Sequence, residues 1–207
     1  MSMADDATSP FATLRYVQEE VEFEVVSANV EGRPVLMAFE PDPYEHPRRR
    51  DESLTSMPSR RLLHALWSLP CQIPWPAYGL DELDVDTLES EGSGFVVVDH
   101  DALVRIYQPP GRVHAVAMRT RRLTDAVTRV GQFPPIFSRY AIATRSCASD
   151  HEAVAAAIAL GIGAVVAHPD GLQVRSEPAS PQRGVPGVYR WWLAELAYQQ
   201  WRQASAH

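Results

Sequence analysis

Three residues between two short apolar runs have the types needed for acid–base or metal chemistry. Asp99, His100 and Asp101 separate GFVVVDH from ALVRIYQ. Two carboxylates and an imidazole so close together are candidate ligands for a divalent cation such as Mg²⁺. The same residue types also satisfy backbone N–H groups in tight turns, and a hairpin break is the simpler reading. Glu89 and Glu91 are the next acids upstream. Cys147 precedes an expected helix N-terminus, where a thiol can gain nucleophilicity. However, Asp150 and Glu152 crowd that turn with negative charge, so Cys147 reads as a packing residue. The pair Gly161 and Gly163 is not a dinucleotide loop, because the first glycine ends a helix and the second opens a strand, the reverse of what that motif needs.

The cations are equally informative. The 207 residues carry 19 basic and 26 acidic side chains, net −7, and every basic side chain is arginine. With no lysine, a P-loop lysine, a Schiff base and a lysine general base are all excluded. Against this acidic background, Arg119, Arg121, Arg122 and Arg129 fall within eleven residues. Together with Arg105 and Arg112 they form a candidate phosphate-binding face. Arg48, Arg49 and Arg50 are followed at once by Asp51 and Glu52 and read as a solvated loop.

The elements that must position these residues follow from pattern. Residues 1–10 read as a disordered leader. VEFEVVSANV and VLMAFEP flank a turn and form a hairpin. Residues 41–53 hold three prolines and a charge run and read as a loop. A helix is expected from about Pro58, with Ser56 as its cap and Leu62, Leu63, Leu66 and Leu69 on one side. Residues 81–91, with six acids, read as a solvated linker or a short acidic helix. GFVVVDH, ALVRIYQ and RVHAVAMRT are three short strands, expected as an antiparallel meander. A helix over RRLTDAVTRV, the strand SRYAIAT, a helix capped by Ser149 and Glu152, the strands GAVVAH and LQVRSE about a turn at Pro169 and Asp170, and a final helix VYRWWLAELAYQQWRQ complete the order. That mixture predicts an α+β (α/β) fold with helices flanking a mixed sheet.

The order of elements and the wording of residues 100–119 resemble the PD-(D/E)xK nuclease superfamily, the restriction-endonuclease-like fold. The stretch HDALVRIYQPPGRVHAVAMRT carries the resemblance, which covers roughly residues 58–175. It implies an α-β-β-β-α-β core and a Mg²⁺ site built from one acid on the second strand and an acid–spacer–lysine on the third. Asp101 stands at the first position, but Ala117 and Arg119 occupy the other two. Alanine binds no metal, and a guanidinium does not accept a proton. The resemblance therefore implies a degenerate motif, with Asp101 and Asp99 as remnant candidates and no cofactor.

The expected organisation is a leader (1–10), an N-terminal hairpin arm and loop (11–57), and a nuclease-like core with the C-terminal helix (58–207). The last helix has one stripe, Tyr189, Trp192, Leu193 and Leu196, to dock on the sheet. A second stripe, Trp191, Ala194, Tyr198 and Trp201, awaits a cover: the N-terminal hairpin, or a second subunit in a homodimer. Two cysteines without CxxC spacing, and no run of roughly 18 apolar residues, suggest a reducing cytoplasm and no membrane partner. The functional expectation is a non-catalytic interaction module binding nucleic acid or a protein. The alternatives are a metal-dependent nuclease with a rearranged acid set, and an enzyme or ligand-binding protein of unrelated chemistry.

Overall fold

The structure, a computed structural model, describes residues 23–54, 57–147, 150–168, 171–182 and 187–205. The expected leader and the positions Ser56, Ser149, Pro169 and Asp170 lie outside the described residues. The fold is α+β, with a six-stranded mixed sheet and a separate three-stranded antiparallel sheet. The chain divides into two compact units. One lies within Met1–Glu40 and Val113–Val185, the other within Pro41–Arg112 and Pro186–His207.

The first unit is built on the larger sheet, in the order β1-β2-β6-β7-β8-β9. β1 (Glu24–Val30) and β2 (Arg33–Pro41) form the expected hairpin, with Val26, Ala28 and Val30 turned inward by the period-two alternation. It is no separate arm, because it forms one edge of the sheet. β6 (Gly111–Thr120), β7 (Ser138–Ala143) and β8 (Gly163–His168) are parallel. Ala115 to Met118, Tyr140 to Ala143 and Ala164 to Val166 are all buried. Such unbroken apolar runs mark strands covered on both faces, and parallel neighbours need crossovers. The crossovers are α4 (Leu123–Val130) and α5 (Asp150–Ala159). α4 buries Leu123, Ala126, Val127 and Val130, the i, i+3, i+4, i+7 pattern of a one-faced helix. Arg139, buried in β7, donates to the carbonyls of Phe133 and Leu160 and so ties the entry to the strand to the end of α5. β9 (Gly171–Ser176) pairs antiparallel with β8.

The second unit contains α1 (Glu45–Asp51), α2 (Arg60–Ser68), α3 (Glu82–Glu91), α6 (Val188–Ser205) and the small sheet. In that sheet β5 (Ala102–Arg105) lies between β3 (Trp75–Pro76) and β4 (Val96–Asp99). The expected meander of three strands therefore does not form. β4 and β5 make a hairpin, but β6 joins β2 and β7 in the other sheet. Pro109 and Pro110 remove two backbone donors just after β5, and the fully apolar centre of β6 suits a doubly covered strand better than an outer hairpin strand.

Two further expectations need correction. Residues 41–53 are not a loop but hold α1. Asp42 Oδ1 accepts from the N–H groups of Tyr44 (2.9 Å) and Glu45 (2.8 Å), and Pro47 sits in the first turn, where its missing N–H costs nothing. The cap of α2 is Ser59, whose side chain accepts from Leu62 N–H at 3.0 Å, three residues later than expected. Of the two readings of residues 81–91 the helix is realised, capped by Asp81.

α6 belongs to the second unit and packs on α2. Trp192 and Leu193 are buried and Leu196 is half-buried. The Arg60 guanidinium stacks 3.6 Å above the Trp192 ring. Trp192→Ala should therefore cost about 3–5 kcal/mol in denaturant unfolding, and Trp201→Ala, half-buried in the penultimate turn, clearly less.

Candidate functional site

The expected acid site is dispersed. Val98 pairs with Leu103 and Asp99 with Ala102, so His100 and Asp101 are the two turn residues of the β4–β5 hairpin. His100 takes the left-handed conformation (φ 54°) that such a turn requires. Asp99, His100 and Asp101 are all exposed there, as is Glu89, while Glu91 accepts a hydrogen bond from Ser59 Oγ at 2.7 Å. The hairpin that would carry Asp101 beside Ala117 and Arg119 does not form, since β5 and β6 lie in different sheets. Ala117 is buried in an apolar cluster with Tyr140, Ile142 and Val165. Among the described residues, no three His, Cys, Asp or Glu side chains are grouped to hold a metal ion.

The arginines separate by unit. Arg119, Arg121, Arg122 and Arg129 are exposed in the first unit, at the end of β6 and along α4. Arg145 is exposed at the end of the neighbouring β7, whose Thr144 N–H bonds the Thr120 carbonyl at 2.9 Å. None of these five makes an ion pair among the described residues. Asp125 lies between Arg122 and Arg129 on the same face of α4, at i+3 and i−4. Arg105 and Arg112 belong to the second unit. Arg105 is half-buried, donates to the Leu66 carbonyl at 3.0 Å and lies 5.0 Å from the centre of the Trp191 ring, so it serves packing. Cys147 is exposed and shares a cavity of about 320 Å³ with Arg122, Thr124, Asp125 and Asp150. Two carboxylates beside one guanidinium give that cavity no preference for an anion.

The second aromatic stripe of α6 is covered by its own unit. Trp191 meets Trp67 (4.9 Å between ring centres) and Tyr107 (5.0 Å). A Cβ at Gly187 would lie 2.2 Å from the Trp67 ring, so any larger residue there must displace that ring. Tyr198 and Trp201 pack on His46 of α1, the latter edge-on at 4.8 Å. Within the unit the cover comes from α1, α2 and Tyr107.

The most tightly built cluster was missed from sequence. Arg49 is only 2% exposed, Glu45 4% and Glu195 1%. The guanidinium bonds both Glu195 oxygens at 2.8 Å, Glu45 Oε1 at 2.7 Å and the Gln108 carbonyl at 3.1 Å. Tyr107 donates to Glu195 Oε1 at 2.8 Å. Phe95, Tyr107 and Tyr198 surround the cation at 5.4–5.5 Å from its central carbon. Burial opposes the charge on Arg49, but the bonds from Glu195 and Glu45 outweigh it and raise the pKa. Burial, followed by the Glu195 charge, raises that of Tyr107 well above its usual value. A bidentate pair with so many satisfied atoms is a structural tie rather than a reactive centre. The available signal was the spacing of Glu45 to Arg49 and of Arg48 to Glu52, both i,i+4 pairs of a helix.

No protein-family model, curated protein or solved structure matches the chain.

Glu195→Gln should cost about 3–5 kcal/mol by denaturant titration, because it leaves Arg49 buried with half its counter-charge. Tyr107→Phe removes one bond to a charged acceptor and should cost about 1.5–3 kcal/mol. The pH dependence should carry a His46 component. Burial, then Arg50 and Arg202, lowers the His46 pKa from its ordinary 6.5. The unfolded chain then binds the proton more readily, so the stability contributed is present above 6.5 and is lost as the pH falls through it. Thermal midpoints measured from pH 7.5 to 5 should fall more steeply for the wild type than for His46→Gln.

Proposed function

We propose that this chain is a non-catalytic interaction module that binds nucleic acid phosphates through the arginines at the end of β6 and on α4. The observation that carries the reading is Arg119, Arg121, Arg122 and Arg129, exposed and without ion pairs among the described residues, in a chain of net charge −7. Arg119 lies at the end of β6, Arg121 and Arg122 in the turn that follows, and Arg129 in the last turn of α4. Their planar forks suit phosphate oxygens. The absence of an acid at Ala117 and of a proton acceptor at Arg119 supports a binding rather than a cleaving role. The helix, three strands, helix and strand of a nuclease-like core can be traced as α2, β4, β5, β6, α4 and β7 only by passing over β3 and α3. Because β5 and β6 do not pair, the proposal rests on the arginines and not on that scaffold.

A protein partner is the second reading, favoured by the exposed apolar residues Ile73, Trp75, Val97 and Val98 in and beside the small sheet. One experiment separates the two. Fluorescence anisotropy with labelled single- and double-stranded DNA should show affinity that falls steeply as salt rises from 50 to 200 mM, by counterion release. Arg121→Ala with Arg122→Ala should lower the log–log salt slope by about 1–2 without moving the thermal midpoint. No binding at low ionic strength, or a slope unchanged in the double variant, would refute the nucleic-acid reading and leave the protein partner in front.

A further inference from the structure

α1 and α6 of the second unit wall a cavity of about 390 Å³ lined by His46, Arg50, Ser53, Trp201, Arg202 and Ser205, together with Arg49. We propose that this cavity binds a phosphate monoester carrying a planar ring, a ligand of mononucleotide size. This inference is independent of the arginine corner in the first unit.

Charge is the first support. Arg49 is neutralised by Glu45 and Glu195, so its charge is already spent. Arg50 has only a 3.4 Å contact to Asp51, with both side chains about 70% exposed. Such a solvated pair holds its cation weakly. Arg202 lies over the Tyr198 ring at 5.7 Å and has no carboxylate partner among the described residues. Among the described residues, no carboxylate lines the cavity. Two guanidinium groups thus line one space with Ser53 beside them, and their planar forks fit a dianionic phosphate, while the Ser205 hydroxyl is taken up by the Trp201 carbonyl at 2.9 Å. Burial lowers the His46 pKa most, and the charges of Arg50 and Arg202 lower it further, so both cations act on this space.

Shape is the second. The His46 ring is fixed by its 3.0 Å hydrogen bond to Tyr198 Oη and stands edge-on to Trp201, so two flat rings form part of the wall. The volume lies at the lower end of small-ligand pockets, roughly 300–1,000 Å³, enough for one nucleotide and too little for a folded peptide.

Ser53 is the third. α1 ends in a Schellman motif, with Leu54 N–H bonding the Arg49 carbonyl (2.8 Å) and Ser53 N–H bonding that of Arg50 (3.1 Å). The C′ residue of such a motif must be left-handed, and glycine is the usual choice. Here Ser53 holds that position at φ 57°, so a residue with a hydroxyl lines the cavity where glycine would be less strained.

Calorimetric titration of the full chain with AMP, inorganic phosphate and adenosine tests the assignment. AMP should bind at least tenfold more tightly than phosphate, and adenosine should not bind. Arg50→Gln with Arg202→Gln should weaken AMP at least tenfold at an unchanged thermal midpoint, since neither belongs to the buried pair. Ser53→Gly should weaken AMP while the midpoint stays or rises. Arg121→Ala with Arg122→Ala should leave AMP binding intact. Displacement of AMP by a 5′-phosphorylated oligonucleotide but not by its 5′-hydroxyl twin would identify the end of a strand as the source. Displacement by neither would identify the free nucleotide. Absence of AMP binding by the folded protein, phosphate binding equal to AMP, or AMP affinity unchanged in the Arg50/Arg202 variant would each overturn the proposal.

Discussion

The second unit depends on one buried ion pair. Arg49 and Glu195 are separated by 146 residues in sequence and meet through two 2.8 Å bonds with almost no exposure to water. Taking two charges out of water is expensive, and the attraction between them repays that only when every remaining polar atom is also satisfied. The surrounding structure meets that condition. Glu45 supplies a second anion from the same helix turn, Tyr107 a hydroxyl, Gln108 a carbonyl, and three aromatic rings a polarisable wall. Glu45 comes from α1, Tyr107 and Gln108 from the segment after β5, and Glu195 from α6, so the cluster ties these three parts of the unit together. An apolar core of equal size would be at least as stable but would tolerate sliding. The pair therefore contributes specificity of assembly, the use for which buried ion pairs are best attested in register-dependent packings.

The first unit solves the same problem without charge. Its core is alanine, valine and isoleucine on parallel strands, and register is set by which residues can lie under the crossover helices. Ala115, Ala117, Tyr140, Ile142 and Val165 pack on one face of the sheet because small and large side chains alternate across neighbouring strands. Gly163 completes that fit, since a Cβ there would lie 2.7 Å from the Tyr140 ring. Such a face offers no polar group to a ligand. The arginines at the end of β6 and on α4 stand instead in water.

Which features could be read from the sequence follows from the same contrast. Local patterns sufficed for β1, β2 and β6 to β9, for α2 and for α4 to α6, because alternation, amphipathic spacing and the stops at Pro70 and Gly161 act within a few residues. Gly161 does end α5 with φ 64°, as its position implied. The errors arose where a non-local partner decides. Three prolines made residues 41–53 look like a loop, although Pro47 falls in the one helical turn that tolerates it. The meander failed because pairing partners are chosen by burial on both faces, which a strand's own sequence only hints at. Arg49 could not be singled out from Arg48 and Arg50, since its carboxylate partner lies near the other end of the chain.

Those three consecutive arginines show how little residue type alone determines. Arg48 bonds Glu45 and Glu52 along one side of α1, and Glu45 raises its pKa. Arg49, about 100° further round the helix, points into the unit and is consumed by Glu195. Arg50, another 100° on, reaches water and the cavity beside Trp201 with only a loose contact to Asp51. A loop would give all three the same solvated surroundings, whereas a helix distributes them over three sides. α1 is too short to be stable by propensity, so it forms only because Arg49 is buried and Asp42 satisfies its first amides. The anchoring of the middle arginine is thus the reason the third is presented in a defined place. A cation on a disordered loop costs ordering entropy to any anion it grips, and a cation on an anchored helix has already lost that freedom in folding. On the proposed reading of the cavity, structure and recognition in this unit are coupled through α1, with the buried arginine fixing the position of its exposed neighbour.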